Sequence, residues 1–303
     1  MKNKILITGA TGLIGKALTS FLLKEGFEVN ILVRKYNSIA NGTPFIWDVE
    51  RDYIDPVCLE GVDTIIHLAG ASIGTENWSE ARKNEIISSR VKSTQLIYNL
   101  LKKTPNTVKN YIGASAVGYY GSNNHEILTE DKAPGQDFLA YCCIKWEEAH
   151  QQLKELNLNV SILRFGIVLD KNGGSLPQMA MPIKVGFGAP LANGDQWVSW
   201  IHLQDLILLI SHFIKNPNLN GVFNATTPNP VTNKTLTIAL GKALQRWIWP
   251  IHVPKFILKI ILGERIELIL SSQNCSAKKI METGFNFKFP NITLALYDIY
   301  RKN

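Results

Sequence analysis

A glycine turn close to the start of the chain constrains the fold more than any other feature of the sequence. It follows an aliphatic run at 4–8 that is typical of a buried strand, and it opens into a segment at 13–25 with helical apolar spacing. A second strand candidate follows at 28–33. The order strand, glycine turn, helix, strand is the setting in which spaced glycines predict a dinucleotide site. The glycines are Gly9, Gly12 and Gly15.

Each glycine of this turn has a separate expected role. Gly9 permits the tight turn, Gly12 lets the backbone approach a pyrophosphate, and Gly15 lets the helix pack closely on the strand. The N-terminus of the helix then offers free N–H groups and the positive end of its dipole to the phosphates. The cofactor contacts predicted in this turn are Gly9, Thr11, Gly12, Leu13, Ile14 and Gly15.

Strand candidates alternate with long helix candidates over the first half of the chain. Aliphatic runs at 64–68, 108–114 and 160–165 are separated by helical segments at 79–103 and 138–156. This alternation predicts an α/β protein with a doubly wound parallel sheet, the Rossmann fold. Glycine and proline interrupt the pattern from about Gly173 onwards. We therefore expect a nucleotide-binding domain over 1–172, to which 203–226 returns, and a smaller C-terminal substrate lobe over 173–303.

Motifs along nearly the whole chain resemble those of the extended short-chain dehydrogenase/reductase superfamily. More narrowly, the chain is similar to its atypical epimerase branch, which ends in a conserved domain of unknown function. The resemblance implies a Rossmann cofactor domain, hydride-transfer chemistry and dimerisation through the helices at 79–103 and 138–156. It is carried by segments 7–12, 67–71, 89–91, 115–121, 200–202, 221–225 and 270–273.

The residues after the second strand bear on the choice of cofactor. NAD-selective Rossmann sites place an acid there for the ribose hydroxyls, whereas this chain has Arg34 and Lys35. A guanidinium can bind a 2′-phosphate bidentately, so the pair favours NADP(H). The alternative is an ordinary solvated pair of basic residues. Further cofactor contacts are expected at strand ends and on the 79–103 helix: Leu68, Ala69, Gly70, Arg90, Arg164 and Gly166.

Tyr141 and Lys145 have the spacing of a catalytic pair. Residues four apart share one helix face, so the phenol and the ammonium can point into one cleft. By resemblance, Tyr141 is the general acid or base, Lys145 holds the nicotinamide ribose and lowers the phenol pKa, and Ser115 orients the substrate oxygen. Against this, the narrow branch often lacks the tyrosine and lysine, and Arg90 stands where the superfamily has an asparagine. A binding or structural role for Tyr141 therefore stays open.

Composition excludes several other classes of protein. The net charge of +7 suits anionic ligands, but no basic block with interleaved aromatics indicates nucleic acid. No apolar run approaches the ~20 residues that span a bilayer, and the start of the chain has no signal-peptide pattern. The four cysteines lack metal-ligand spacing, so we expect free thiols in a reducing cytoplasm and no metal site.

The sequence thus predicts a cytoplasmic NADP(H)-dependent oxidoreductase or epimerase-type enzyme acting on a small-molecule carbonyl or carbinol substrate, such as a nucleotide sugar. The rival hypothesis is an NADP(H)-binding sensor or scaffold that has lost the chemistry.

The segment 247–263 allows two interpretations, because its apolar stripe and two tryptophans suit either a cover over the substrate pocket or an interfacial helix. We favour the pocket cover, since only two basic residues accompany the stripe.

Overall fold

Strands and helices alternate through the nucleotide-binding part of the computed structural model, which describes residues 4–36, 41–123 and 126–301. The strands are β1 Lys4–Thr8, β2 Glu28–Val33, β3 Thr43–Asp48, β4 Tyr53–Ile54, β5 Val62–His67, β6 Asn110–Ala116, β7 Asn159–Phe165, β8 Ile167–Leu169, β9 Trp197–Val198, β10 Trp200–His202, β11 Gly221–Ala225 and β12 Val231–Thr232. The helices are α1 Leu13–Lys24, α2 Glu80–Lys103, α3 Phe138–Gln151, α4 Leu176–Lys184, α5 Leu203–Lys215, α6 Asn233–Leu244, α7 Lys255–Leu262, α8 Glu267–Leu270, α9 Lys278–Glu282 and α10 Ile292–Arg301. The expectation about a signal peptide rests partly on residues 1–3, which lie outside the described residues.

The main sheet has the order β11-β7-β6-β5-β1-β2-β3-β4, and of the described strands of this sheet only β4 pairs antiparallel. Side chains alternate across it: Ile5 and Ile7 pack with α1 and α5, while Leu6 packs with α2 on the other face. Helices therefore cover both faces of the sheet, which explains why the strand sequences are continuous apolar runs. The predicted doubly wound Rossmann fold is confirmed.

The strand order creates a crevice at the carboxyl end of the sheet. β1 lies between β2 and β5, and the chain leaves β1 for α1 on one face but leaves β5 for α2 on the opposite face. Ligands of open α/β sheets bind where the connections diverge in this way. The glycine turn after β1 and residues 68–70 after β5 both lie at this point.

The rest of the chain forms a smaller lobe with its own apolar core. Two short two-stranded sheets, β8–β10 and β9–β12, pack with α4, α6 and α10. The segment 203–226 contributes α5, which packs on α1, and β11, which pairs with β7. Asp205 at the start of α5 accepts hydrogen bonds from the N–H groups of Lys288 and Phe289, and so anchors the C-terminal segment to the sheet domain.

The helix predicted at 138–156 ends early. Ordinary α-helical geometry stops at Gln151, a 3-10 turn covers Gln152–Leu156, and Asn157 takes a left-handed conformation with φ 58°. Asparagine is among the residues that adopt this conformation most readily, so it closes the segment. Within the described part of the chain, no helix is both long and apolar enough to cross a membrane.

Candidate active site

The glycine turn has the geometry that a pyrophosphate site needs. Gly9 has φ +71°, and a Cβ there would lie 2.9 Å from the carbonyl carbon of Leu68. A Cβ on Gly15 would overlap the Gly9 oxygen and lie 2.6 Å from Ala10 Cα. Gly12 differs, because beyond its chain neighbours a Cβ there would meet only Gly9 O, at 3.3 Å, among the described atoms within 4 Å. The turn therefore fixes two glycines by packing and leaves the third open at the helix N-terminus.

Thr8 ties the two loops of the crevice together. Its Oγ1 accepts hydrogen bonds from the N–H groups of Leu68 and Ala69, both at 3.2 Å, and lies 2.7 Å from His67 Nδ1. His67 is fully buried and its Nε2 lies 3.1 Å from Ser93 Oγ. Burial lowers the pKa of His67 well below its ordinary value, so this histidine is a neutral core residue. Leu68 and Ala69 are thereby held beside the glycine turn.

Arg90 closes the floor of the crevice next to Gly70. A Cβ on Gly70 would lie 3.0 Å from Arg90 Cζ, and Arg90 Cζ lies 4.9 Å from the Trp146 ring centroid. Arg90 Nη1 donates to the carbonyl of Ile86 at 2.9 Å. Burial lowers the pKa of Arg90, because the charged form loses solvation there. A half-buried guanidinium beside residues 68–70 can attract an anionic group that enters the crevice.

Basic side chains stand at the end of β2, as the sequence predicts. Arg34 and Lys35 directly follow the buried Val33, and both are exposed. Within the described residues Arg34 takes part in no ion pair. Its guanidinium is therefore available to a phosphate at the side of the crevice where β2 ends.

Ser115, a predicted catalytic residue, belongs to a buried polar network. Its hydroxyl donates to Glu147 Oε1 at 2.6 Å, and Glu147 also receives two hydrogen bonds from Arg164, at 2.8 and 2.9 Å. The Glu147 and Arg164 side chains are almost fully enclosed, at 9% and 3% exposure. The hydroxyl proton of Ser115 is therefore committed to Glu147, while its oxygen can still accept a hydrogen bond.

Arg164, a predicted cofactor contact, is bound within this buried network, and its contact with the cofactor stays a prediction. Arg164 Nη1 donates to Tyr120 Oη at 2.8 Å and its Cζ lies 3.4 Å from the Tyr119 ring centroid, in addition to the bidentate pair with Glu147. Burial alone would lower the Arg164 pKa, but its hydrogen bonds to Glu147 outweigh burial and raise it. Tyr120 in turn donates to Asn224 Oδ1 at 2.7 Å, so the network joins β7 to β11.

Gly166 has a packing role where the sequence predicts a cofactor contact. A Cβ there would lie 2.7 Å from the backbone oxygen of Ser199 and 2.9 Å from a Thr226 methyl. The glycine allows the chain to leave β7 and enter β8 beside β10. Its position is thus explained by contact between the two lobes.

Tyr141 and Lys145 share one face of α3, as their spacing predicts. The Lys145 ammonium lies 5.8 Å from the Tyr141 ring centroid, and the tyrosine is 51% exposed. Lys145 Nζ also pairs with Glu148 Oε2 at 2.8 Å, and this hydrogen bond raises the Lys145 pKa. No hydrogen bond joins Ser115, Tyr141 and Lys145 to one another in the part of the chain described, and their catalytic roles stay a prediction.

Two residues that organise the site escaped the sequence analysis. Thr8 follows the buried aliphatic run of β1 as a hydroxyl at the carboxyl end of a strand, a position that can signal a role at the crevice. Glu147 lies on α3 and its partner Arg164 lies on β7, so no local pattern in the sequence indicates the pair. Across the described residues no group of His, Cys, Asp or Glu could hold a metal ion, and all four cysteines are buried, free thiols.

Comparison with known proteins identifies two matching regions. Residues 5–225 match the model of the NAD dependent epimerase/dehydratase family, and residues 253–299 match a domain of unknown function, DUF1731. Epimerase family protein YfhF of Bacillus subtilis is 35% identical over 295 residues, which cover 96% of each chain. The chloroplastic SDR39U1 homolog of Arabidopsis thaliana is 34% identical over 299 residues, 96% of this chain and 85% of the relative.

Solved structures share the whole fold. The human epimerase family protein SDR39U1, crystallised with NADPH, has a TM-score of 0.90 at 29% identity and covers 99% of this chain and 100% of its own. A nucleoside-diphosphate sugar epimerase from Corynebacterium glutamicum has a TM-score of 0.80 at 30% identity, covering 99% of this chain and 58% of that one. A UDP-N-acetylglucosamine 4-epimerase from Bacillus cereus, at 18% identity and a TM-score of 0.78, shares the fold.

Proposed function

The chain belongs to the NAD dependent epimerase/dehydratase family, and from this we propose that it is an NADP(H)-dependent oxidoreductase or epimerase-type enzyme. Its reaction would be hydride transfer on a carbonyl or carbinol carbon of a small molecule, such as a nucleotide sugar. The observation that carries the proposal is the glycine turn. An open Gly12 at the N-terminus of α1, with Gly9 and Gly15 fixed by packing, fits a pyrophosphate in the crevice between β1 and β5.

The choice of NADP(H) over NAD(H) rests on charge. Arg34 and Lys35 occupy the end of β2, where an acidic residue would repel a 2′-phosphate. The human relative crystallised with NADPH supports the same choice. Leu68, Ala69 and Gly70 would run beside the dinucleotide, and Arg90 beneath Gly70 adds positive charge to the crevice.

When bound, the nicotinamide supplies the hydride exchange, and the chain supplies orientation and the proton. Tyr141, half exposed on α3, is the proposed acid or base, and Lys145 on the same face is the proposed ribose contact. Because Ser115 donates its proton to Glu147, its oxygen is oriented to accept a hydrogen bond from a substrate hydroxyl. This makes Ser115 a positioning group whose direction Glu147 sets.

The rival function is an NADP(H)-binding sensor or scaffold, and one observation favours it. Lys145 is paired with Glu148, and Ser115 with Glu147, so each expected catalytic partner of Tyr141 has another partner in the structure. A protein that keeps the glycine turn and Arg34 but leaves the tyrosine unsupported would bind the cofactor without turnover.

A reduced-cofactor assay separates the two functions. NADPH oxidation and NADP⁺ reduction are measured against sugar nucleotides, quinones and small carbonyl compounds. For an enzyme that uses Tyr141, Tyr141→Phe should lower turnover ~10²–10⁴-fold, the usual contribution of a positioned acid or base. Tyr53→Phe, an exposed tyrosine on β4, is the control. A parent protein that binds NADPH but turns over nothing on the panel would favour the sensor.

The proposal extends to the compartment and the oligomeric state of the enzyme. Four free cysteines suit a reducing cytoplasm. The helices α2 and α3, which pack side by side, are the proposed homodimer surface. No nucleic-acid partner forms part of the proposal.

A further inference from the structure

Large apolar side chains stand in solvent on one side of the smaller lobe. Ile260, Phe187 and Trp247 are 81%, 75% and 74% exposed, and three further residues are exposed to similar degrees. The cover over the substrate pocket that the sequence analysis favoured for 247–263 would bury this stripe, whereas in α7 only Leu258 is buried. We call these residues the apolar-basic surface: Phe187, Trp247, Ile251, Phe256, Ile260 and Ile261.

Hydrogen bonds place two segments that carry this surface side by side. The N–H of Trp249 donates to Gly188 O at 2.8 Å, and its indole Nε1 donates to Gly186 O at 2.9 Å. The N–H of Val253 donates to Pro190 O at 2.9 Å. The loop that carries Phe187 therefore runs beside the loop that carries Trp247 and Ile251, and α7 begins directly after it, at Lys255.

The charged residues within the segments that carry this surface are basic. The sequence has no aspartate or glutamate in 171–194 or in 206–263. Arg246, Lys255 and Lys259 are exposed, and none of them enters an ion pair within the residues that the structure describes. The first acid after α7, Glu264, is already paired with Lys83 at 2.7 Å.

We propose that the apolar-basic surface adsorbs to an anionic lipid bilayer as a peripheral contact. Tryptophan, phenylalanine and isoleucine side chains enter the headgroup region, and the arginine and lysines meet the negative lipid charge. An exposed apolar patch of this kind is typical of a membrane or protein contact. A second copy of the chain is disfavoured as the occupant, because it would bring the same positive charge against itself.

Vesicle sedimentation tests the proposal with the full chain. Phosphatidylcholine vesicles with and without 30% phosphatidylglycerol, a composition of roughly physiological surface charge, are the probes. We expect binding to the anionic vesicles alone, weakened by salt. Substituting Arg246, Lys255 and Lys259 by glutamine should reduce affinity about fivefold per residue, the fold-change that ~1 kcal/mol per basic residue represents. The double variant Phe187→Ser/Trp247→Ser should lose at least about tenfold.

Matched controls lie on the far edge of the main sheet. Tyr53→Ser/Val57→Ser also removes two exposed apolar side chains and should bind like the parent. Circular dichroism and NADPH binding should be unchanged in all variants, which separates this test from the proposed enzyme function. The proposal is overturned by equal binding to both vesicle types, by no binding to either, or by equal losses in the control. It is also overturned if the surface variants convert a parent dimer to a monomer in light scattering.

Discussion

Two adjacent glutamates on α3 provide a matched pair for testing the buried network. Glu147 is enclosed with Arg164, at 9% and 3% side-chain exposure, whereas Glu148 pairs with Lys145 at 56% and 40% exposure. Glu147→Gln keeps the size of the side chain but removes its charge. Glu147 accepts hydrogen bonds from Ser115 and Arg164 through its carboxylate oxygens. The NH₂ group of glutamine is a donor, so in the variant it would face the O–H of Ser115 or an N–H of Arg164 and could not accept from it.

The two substitutions should differ several-fold in their effect on the free energy of unfolding. Leaving a buried charge without its partner costs ~3–5 kcal/mol, whereas an exposed pair contributes ~0–1 kcal/mol. With a shift of about 2–4 °C per kcal/mol for domains near this size, Glu147→Gln should lower Tm by roughly 6–20 °C. Glu148→Gln should shift Tm by no more than about 4 °C by the same conversion.

Thermal unfolding of both variants is followed by circular dichroism under the same conditions as the parent. Adding Arg164→Met to Glu147→Gln removes both charges, so the double variant should lose less than the sum of the two single losses. Equal Tm values for Glu147→Gln and Glu148→Gln would refute the reasoning, because they would mean that the enclosed pair contributes no more than the exposed one.

Two further predictions concern pH and the glycine turn. Burial lowers the pKa of His150 to about 4, so the unfolded chain takes up a proton near pH 6.5 that the folded protein does not. As the pH falls from 6.5 to 4, the free energy of unfolding should therefore decrease by about 1.4 kcal/mol per pH unit for this group. Urea unfolding at several pH values measures this free energy. A free energy that does not change with pH over this range would contradict the prediction. Gly12→Val should leave the far-UV spectrum unchanged but abolish stabilisation by NADPH, whereas Gly15→Ala should lower Tm even without nucleotide, because its methyl group overlaps Gly9 O. A Gly12→Val variant that NADPH still stabilises would place the cofactor elsewhere.

The sequence predicts the features of this fold that depend on neighbouring residues. The strand at 4–8 and the helix predicted at 79–103, observed as Glu80–Lys103, follow from local apolar spacing. The glycine roles are also local, since they depend on one turn between β1 and α1. The resemblance adds the family and its C-terminal domain, which the comparisons confirm.

Partner choice among charged side chains is what the sequence leaves open. The spacing of Tyr141 and Lys145 predicts that they share one helix face, and the structure shows that they do. The spacing does not reveal that the Lys145 ammonium forms an ion pair with Glu148. Arg164 ends a strand at the correct edge of the sheet, yet Glu147 on another element holds it inside the protein. In the same way, the apolar stripe of α7 does not indicate whether protein or solvent covers it.

Nucleotide titration tests the central claim most directly, that the crevice between β1 and β5 selects NADP(H). Intrinsic fluorescence is followed with NADPH and NADH for the parent, for Arg34→Ala, and for Arg246→Ala as an exposed arginine of the smaller lobe. The parent should bind NADPH more tightly, and Arg34→Ala should reduce this preference about tenfold or more, since a hydrogen bond to a charged group contributes ~1.5–3 kcal/mol. Arg246→Ala should keep the preference. Equal affinity of the parent for both nucleotides, or a preference unchanged in Arg34→Ala, would contradict the account.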